Sequence, residues 1–190
     1  MKRVIILLTL LSAFNLLKAQ DFGTFKDPRD GKEYKTIVIG NQIWMAENMA
    51  YRPKEGKFWA YDNNQRNVAK HGYLYNWETA KNVCPDGWHL PSDKEWKELQ
   101  KFVQFISDGL KTVGEWGEDS YATNSLGFSA MSSGSFTNNG FRNMGKSAFW
   151  WSSNERNSDT AWAWAFDIHN RLARPKMYKS HGMSVRCIKD

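Results

Sequence analysis

The sequence predicts one α+β domain, and three stretches carry this prediction. Residues 76–106 hold two helical patterns joined by a short break. Residues 161–169 alternate large apolar side chains with alanine or aspartate, which is the period of a β-strand. Residues 34–39 and 42–45 flank a Gly-Asn pair, a two-residue hairpin signal. We therefore expect two helices and a small antiparallel sheet around a core to which most of the ten tryptophans contribute.

Both predicted helices carry start signals. Asn76 is a favourable N-cap for the first helix, and Ser92 with Glu95 forms a capping box for the second. Residues 85–87, Pro-Asp-Gly, separate the two helices, and residues 88–90 are too few for a helix and are expected to be extended. Apolar residues recur at helical spacing on both sides of this break: Trp77, Ala80, Cys84, Trp96, Leu99, Val103 and Ile106.

The rest of the chain divides into loops and short strands. Residues 48–70 lack a clear period and are predicted to form a loop held down by aromatic side chains. Residues 110–147 are rich in glycine, serine and asparagine with isolated aromatics, which predicts a long ordered loop region. Further strands are expected at 149–152, at 174–178 beside the alternating stretch, and at 183–188.

Residues 1–19 have the pattern of a signal peptide. Lys2 and Arg3 precede an apolar run over 4–17, and Ala19 offers a small residue at the cut. No cysteine stands at the cut, so a lipid anchor is not expected, although an uncut signal-anchor is the alternative. We expect residues 20–190 to form a single secreted, periplasmic or outer-surface domain with no transmembrane segment.

The net charge argues against nucleic acid as a partner. The formal charge of +6 falls to +3 once the three basic residues of the signal peptide are removed. The remaining positive charge is uneven near the C-terminus. A solvated basic face is the favoured interpretation, and an anionic glycan or lipid headgroup is the alternative. The run without an intervening carboxylate consists of Arg171, Arg174, Lys176, Lys179 and Arg186.

The chain contains two cysteines, Cys84 and Cys187. Export would place them in an oxidising compartment, where such a pair normally forms a disulfide. That bond would link the end of the first helix to the last strand. Two free thiols or a metal-binding pair are the alternatives.

No motif for catalysis or for a cofactor is present. The chain lacks the zinc-protease, hydrolase-elbow, Walker and dinucleotide-binding patterns, so no metal or cofactor is expected. His89 is expected to make a structural hydrogen bond rather than to transfer protons. Two carboxylate pairs, Glu118 with Asp119 and Asp159 with Asp167, could serve a glycosidase only at a separation that sequence does not specify.

A set of short motifs, in order over most of the chain, resembles the Fibrobacter succinogenes major paralogous domain family, a group of exported bacterial proteins with a C-type-lectin-like fold. The matching stretches are Asp30-Gly31 with Tyr34, residues 39–48 (IGNQIWMAEN), residues 75–77 (YNW), residues 84–92 (CPDGWHLPS) with Glu95-Trp96, Leu110-Lys111, residues 127–130 (GFSA), residues 150–153 (WWSS), and Gly182 with residues 184–187 (SVRC).

This resemblance implies a small antiparallel sheet with two helices, a Cys84–Cys187 disulfide, and ligand contact through the loop region at 110–159. Sugar-binding C-type lectins hold calcium with Glu-Pro-Asn or Gln-Pro-Asp, and neither tripeptide occurs here. Calcium-dependent sugar binding at the usual site is therefore not expected.

The expected function is that of a non-catalytic binding module for a glycan or a surface protein. A structural subunit of an envelope or fibre assembly is the alternative. A formylglycine-generating-type oxidase is more remote, because such enzymes use cysteines at a copper site and both cysteines are assigned to the disulfide. The loop residues expected to contact a ligand are Tyr121, Asn138, Asn139, Arg142, Asn143, Glu155 and Arg156.

Overall fold

The computed structural model describes residues 21–103, 107–117, 121–166 and 172–190 and has an α+β architecture dominated by strands. The strands are β1 (Phe22–Lys26), β2 (Glu33–Ile39), β3 (Gln42–Met45), β4 (Phe58–Trp59), β5 (Leu74–Tyr75), β6 (Trp88–His89), β7 (Ser133–Thr137), β8 (Gly140–Met144), β9 (Ala148–Glu155), β10 (Thr160–Phe166), β11 (Lys176–Tyr178) and β12 (Ile188–Lys189). The helices are α1 (Val68–His71), α2 (Trp77–Ala80) and α3 (Asp93–Val103), with 3₁₀ turns at Tyr61–Asn63, Gln65–Asn67 and Ser107–Leu110.

The predicted N-terminal hairpin is confirmed as the centre of the first sheet. This sheet has the order β1-β2-β3-β12-β6, and β2 pairs antiparallel with β3 from Thr36 opposite Met45 to Ile39 opposite Gln42. Gly40 adopts a φ of 63° at the turn, a conformation that glycine reaches without a steric penalty. The last strand, β12, lies between β3 and β6 and so brings the C-terminal segment into the middle of this sheet.

The second sheet has the order β11-β10-β9-β7-β8 and contains the predicted alternating strand as β10. Neighbouring strands are antiparallel, except that β7 and β9 meet in parallel at Gly134 and Ala148. The predicted partner strand is confirmed as β11, in which Lys176 lies opposite Trp162. A separate two-stranded pair joins β4 to β5.

The alternation along β10 has the predicted structural effect. Ala161 and Ala163 pack into one hydrophobic cluster, while Trp164 and Phe166 pack into a second cluster. Large rings therefore fill one side of the strand, and the small alanine side chains allow close packing on the other. All ten tryptophans are described, and all except the half-buried Trp59 and Trp162 are buried, as predicted.

The helix start signals are confirmed, but the first helix is shorter than expected. The Asn76 side chain accepts a hydrogen bond from the Thr79 amide at 3.2 Å, yet α2 has only four residues and ends at Ala80. The Ser92 amide donates to Glu95 at 2.7 Å and the Glu95 amide donates to Ser92 Oγ at 3.4 Å, which is a reciprocal capping box. Residue 106, predicted to extend the second helix, lies outside the described residues.

The two cysteines form the predicted disulfide, with an S–S distance of 2.01 Å. Cys84 stands in the turn after α2 rather than at the end of a helix, and the fully buried Cys187 directly precedes β12. The segment at 183–188 was expected to be one strand, but it is extended and mostly irregular: the Met45 and Met49 amides donate to the Cys187 and Val185 carbonyls at 3.0 and 2.8 Å. The disulfide thus ties an irregular buried segment to the helical region.

The prediction of one long loop over 110–147 is wrong in part. Strands β7 and β8 form a hairpin within it, with Phe136 opposite Phe141. The turn is Asn138-Asn139, and its hairpin signal is present in the sequence at Asn139-Gly140. Most residues of the two strands are glycine or polar, so the stretch lacks the continuous apolar character by which strands are usually recognised.

The predicted solvated basic face is also wrong for two of its members. Arg186 is fully buried, and Arg174 makes an ion pair with Asp93 and lies 3.4 Å over the Trp162 ring centroid. Lys179 forms an ion pair with Glu155 at 2.6 Å. Of the two remaining predicted members, Lys176 is exposed on β11, as predicted, and residue 171 lies outside the described residues, as does the predicted signal peptide.

Arg186 belongs to a buried polar network centred on Asn48. The Asn48 amide oxygen accepts from Arg186 Nη2 at 2.9 Å and from Trp150 Nε1 at 2.8 Å. Its amide nitrogen donates to Ser133 Oγ at 3.0 Å. Arg186 also donates to the carbonyls of Phe128 and Ser129. Because the Asn48 side chain accepts from two distant segments and donates to a third, the network fixes how the two sheets meet.

Burial lowers the pKa of Arg186 to about 9, and the charge of Glu47 opposes this shift. The guanidinium also lies 4.3 Å from the Phe128 ring centroid, a cation–π arrangement. No side-chain carboxylate within the described residues forms an ion pair with it. The neutral acceptors of Asn48, Phe128 and Ser129 must therefore compensate for the lost hydration.

His89 links the capping box to the C-terminal residue of the chain. Its Nδ1 lies 2.6 Å from Asp190 Oδ1, and its Nε2 lies 2.8 Å from Glu95 Oε1. Burial by itself disfavours the imidazolium, but the hydrogen bonds to Asp190 and Glu95 outweigh it and raise the pKa of His89 above the ordinary 6.5. The structure therefore contains hydrogen bonds at this histidine, as expected.

The raised pKa of His89 predicts a pH-dependent contribution to stability. The contribution is complete below pH 6.5, where the imidazole is protonated even in the unfolded chain, and it is lost as the pH rises through the folded-state pKa. A His89→Gln variant is therefore expected to be less stable than the parent near pH 6, with a smaller difference near pH 9. Chemical denaturation at several pH values measures this, and a difference that does not change with pH would contradict it.

Candidate functional site

Half-buried aromatic rings gather where β4 meets the β7–β8 hairpin. Trp59 of β4 stacks on Phe136 of β7, with ring centroids 4.3 Å apart and an interplanar angle of 25°. Phe136 contacts Phe141 across the hairpin at 5.0 Å, and Phe141 contacts Tyr61 at 5.1 Å. We call Trp59, Phe136 and Phe141 the aromatic surface, because each is only partly buried while Tyr61 beneath them is largely covered.

Two glycines allow this close packing. A Cβ on Gly182 would lie 2.8 Å from Trp59 and 3.0 Å from Phe136, so only glycine admits the ring stack. A Cβ on Gly134 would lie 2.8 Å from Tyr61 and 2.3 Å from the Arg142 carbonyl. At Gly134 and Gly182 the aromatic rings therefore pack directly against the main chain. This close packing restricts their movement, so the aromatic surface is preorganised.

Four of the seven predicted ligand residues lie on the hairpin that carries these rings. Asn138 and Asn139 are exposed at its turn, where the Asn139 amide donates to Thr137 Oγ1 at 3.2 Å. Arg142 and Asn143 are exposed on β8. Arg142 lies opposite Ser135, whereas Phe136 lies opposite Phe141, so strand alternation directs Arg142 to the face away from the rings.

The other three predicted residues lie elsewhere. Glu155 and Arg156 stand at the turn between β9 and β10, where Glu155 pairs with Lys179 and the Arg156 guanidinium lies 5.7 Å from the Trp162 ring centroid. Tyr121 is 79% exposed in the loop before β7. Asn138 and Asn139 therefore lie on the hairpin that carries the aromatic surface, whereas Tyr121, Glu155 and Arg156 do not.

The aromatic residues of this surface were not predicted as ligand contacts from sequence. Phe136 was interpreted as an anchor of a loop, and Trp59 as an aromatic that holds down another loop. The two residues are far apart in the chain, and only their cross-strand and stacking contacts bring them together. The available sequence signal was Phe136 and Phe141 placed symmetrically about Asn138-Asn139.

Metal sites and catalytic carboxylate pairs both depend on titratable side chains. The described residues contain no group of three or more His, Cys, Asp or Glu side chains placed to hold a metal ion. Burial lowers the pKa of both His71 and His181, which favours their neutral forms. Glu118, Asp119 and Asp167, from the two predicted carboxylate pairs, lie outside the described part of the chain.

Fold and surface together define a disulfide-linked α+β domain that presents partly exposed aromatic rings beside an asparagine turn. The family model described as the Fibrobacter succinogenes major domain matches residues 37–189, and the chain belongs to this family. Comparison with curated proteins and with solved structures gives no match. In the described residues, no helix is long and apolar enough to cross a membrane.

Proposed function

We propose that this chain is an exported, non-catalytic binding module with a C-type-lectin-like fold, and that it recognises a glycan through the aromatic surface and the Asn138-Asn139 turn. One observation carries the proposal: three half-buried rings lie beside two exposed amides on a preorganised hairpin. The disulfide between the region after α2 and the C-terminal segment supports both the fold and an oxidising location.

The chemistry of this surface suits a neutral sugar. The C–H faces of a pyranose ring pack on aromatic rings and remove apolar area from water on both partners. Each asparagine amide supplies two donors and an acceptor for sugar hydroxyl groups. Arg142 lies on the opposite face of the hairpin, so charge contributes little at the rings themselves. Recognition through ring contacts and amides requires no calcium ion.

An Asn138→Ala, Phe141→Ala pair of single variants tests this proposal. Each is expected to weaken glycan binding about tenfold, which corresponds to about 1.4 kcal/mol, because each removes a central contact of the surface. Binding is first sought on a glycan array and then measured by titration with and without a calcium chelator. Phe141 lies on the edge strand β8, where truncation disturbs the core less than at Trp59.

Phe102→Ala is the matched control, because Phe102 is 53% exposed on α3 and packs beside Gly40, away from the hairpin. It should leave glycan affinity unchanged. Binding that survives both hairpin substitutions in folded protein would refute the assignment of the surface. Binding abolished by the chelator would refute the calcium-independent mechanism.

A structural subunit remains the second candidate because of one edge strand. Strand β1 lies at the edge of the first sheet, and four of its five residues are exposed. An open edge of this kind can pair with a strand of another chain. Concentration-dependent assembly without ligand, measured by light scattering after size exclusion, would favour the subunit. A monomer stabilised by glycan would favour the binding module.

A further inference from the structure

A second cleft lies between the first sheet and the loop before β7, and it shares no residue with the aromatic surface. Its volume is about 590 Å³, which is within the range of small-molecule sites. Edge strand β1, strand β2 and the 124–129 loop provide its walls. The lining residues are Phe22, Gly23, Thr24, Lys35, Ala46, Asn124, Gly127 and Ser129.

Strand register places three of these side chains on one face. Thr24 lies directly opposite Lys35 in the antiparallel β1–β2 pair, so their side chains are close neighbours on the same side. Phe22 precedes Thr24 by two residues and therefore points to that side as well. The face presents a hydroxyl, an ammonium group and an aromatic ring that is 64% exposed.

The opposite wall is rigid and supplies polar groups. The Ser129 amide donates to Asn124 Oδ1 at 2.9 Å, and Asn124 Nδ2 donates back to Ser129 Oγ at 3.1 Å. Both residues have left-handed backbones, with φ of 49° at Asn124 and 55° at Ser129, which is costly outside glycine. Arg186 donates hydrogen bonds to the Phe128 and Ser129 carbonyls from the core, and these bonds fix the position of this wall.

Glycine at position 127 brings the walls together. A Cβ there would lie 2.6 Å from the Phe22 ring and 3.3 Å from Ile37 Cδ1. The Phe22 ring therefore lies close to the loop backbone, yet the residue is 64% exposed and lines the cleft. An exposed ring in a fixed position is suited to a flat apolar ligand face.

The charge of the cleft is set by Lys35. Its side chain makes no ion pair within the described residues, and it is the single charged residue of the lining. The nearby Glu47 carboxylate accepts a hydrogen bond from the Lys35 backbone amide at 2.7 Å. Glu47 does not line the cleft. The site therefore favours a ligand with one negative charge.

We propose that this cleft binds a uronic acid unit, a sugar that carries a carboxylate. The carboxylate pairs with the Lys35 ammonium group, and a C–H face of the sugar ring packs on Phe22. The hydroxyls of Thr24 and Ser129 and the Asn124 amide are the hydrogen-bonding partners of the sugar hydroxyls. This site is separate from the proposed glycan surface on the β7–β8 hairpin and can exist without it.

Titration calorimetry of the purified chain with sodium glucuronate, glucose and sodium acetate tests the assignment. We expect glucuronate to bind at least about tenfold more tightly than glucose or acetate, because only glucuronate has both the carboxylate and the sugar ring. Lys35→Gln should abolish the preference for glucuronate over glucose. Phe22→Ala should weaken glucuronate binding about tenfold while the chain stays folded.

Lys97→Gln is the matched control, because Lys97 is an exposed lysine on α3 outside the cleft and its substitution changes the net charge equally. It should leave glucuronate affinity unchanged. The proposal is overturned if glucuronate fails to bind, if acetate binds as tightly, or if Lys35→Gln keeps the preference. Since Asn138→Ala and Phe141→Ala alter the other surface alone, they separate failure of this site from failure of the hairpin site.

Discussion

Replacing Cys84 by serine is expected to lower the free energy of unfolding by about 4–5 kcal/mol. The bond joins residues separated by 103 positions, so its loss frees a long loop in the unfolded chain. Serine is close in size to cysteine, which keeps the change in packing small. Urea denaturation of the oxidised parent and of the variant measures the difference. A loss of this size would remove much of the stability of an ordinary domain.

Cys187→Ser is the matching variant, since it removes the same disulfide by changing the other cysteine. It should cost slightly more than Cys84→Ser, because Cys187 is fully buried and Cys84 is only partly buried. The double variant should be little worse than either single variant, because the loop is freed only once. Two free thiols in the unfolded, unreduced parent would show that the bond is absent.

Asn48→Ala is expected to destabilise the chain by about 3–5 kcal/mol, because it leaves a buried guanidinium without its side-chain acceptor. The variant also deprives the Trp150 indole N–H of the oxygen that it donates to at 2.8 Å. Arg186 keeps its bonds to two backbone carbonyls, and these cannot replace an acceptor that receives both Nε and Nη2. Thermal and chemical unfolding measure the loss.

Asn139→Ala is the comparison for this prediction, since Asn139 is exposed at the hairpin turn and its loss should change stability by less than about 0.5 kcal/mol. A double-mutant cycle with Arg186→Met isolates the coupling between Asn48 and Arg186. We expect a coupling energy of about 1–3 kcal/mol, because the two side chains share one buried network. Additive losses would show that Asn48 acts independently of the guanidinium.

Elements that depend on neighbouring residues were predictable. The capping box of Ser92 and Glu95 and the hairpin at Gly40-Asn41 both follow from contacts within a few positions of the chain. The length of the first helix was not predictable in the same way. Its apolar period continues to Cys84, but the disulfide and the Pro85 turn hold that residue outside the helix.

Elements that depend on distant partners were missed. The β7–β8 hairpin contains mostly glycine and polar residues, with apolar side chains only at Phe136, Phe141 and Met144, and it is held in place because β9 pairs with its inner strand and Tyr61 packs on Gly134. Arg186 belongs to a basic run in the sequence, and only Asn48 and the 128–129 carbonyls make its burial possible. A run of basic residues in the sequence therefore predicts exposed side chains only if no other segment of the fold supplies buried hydrogen-bond acceptors for them.

By itself the sequence determined the α+β class, the cysteine pair, the helix caps and the alternation of β10, because each depends on local spacing or on there being only two cysteines. Tertiary structure alone decided which polar groups are buried around Asn48, which rings form the aromatic surface, and that Phe22, Lys35 and Ser129 line one cleft. Those properties arise from side chains that are far apart in the chain. Such contacts form, and contribute to stability, only when the sheets pack together.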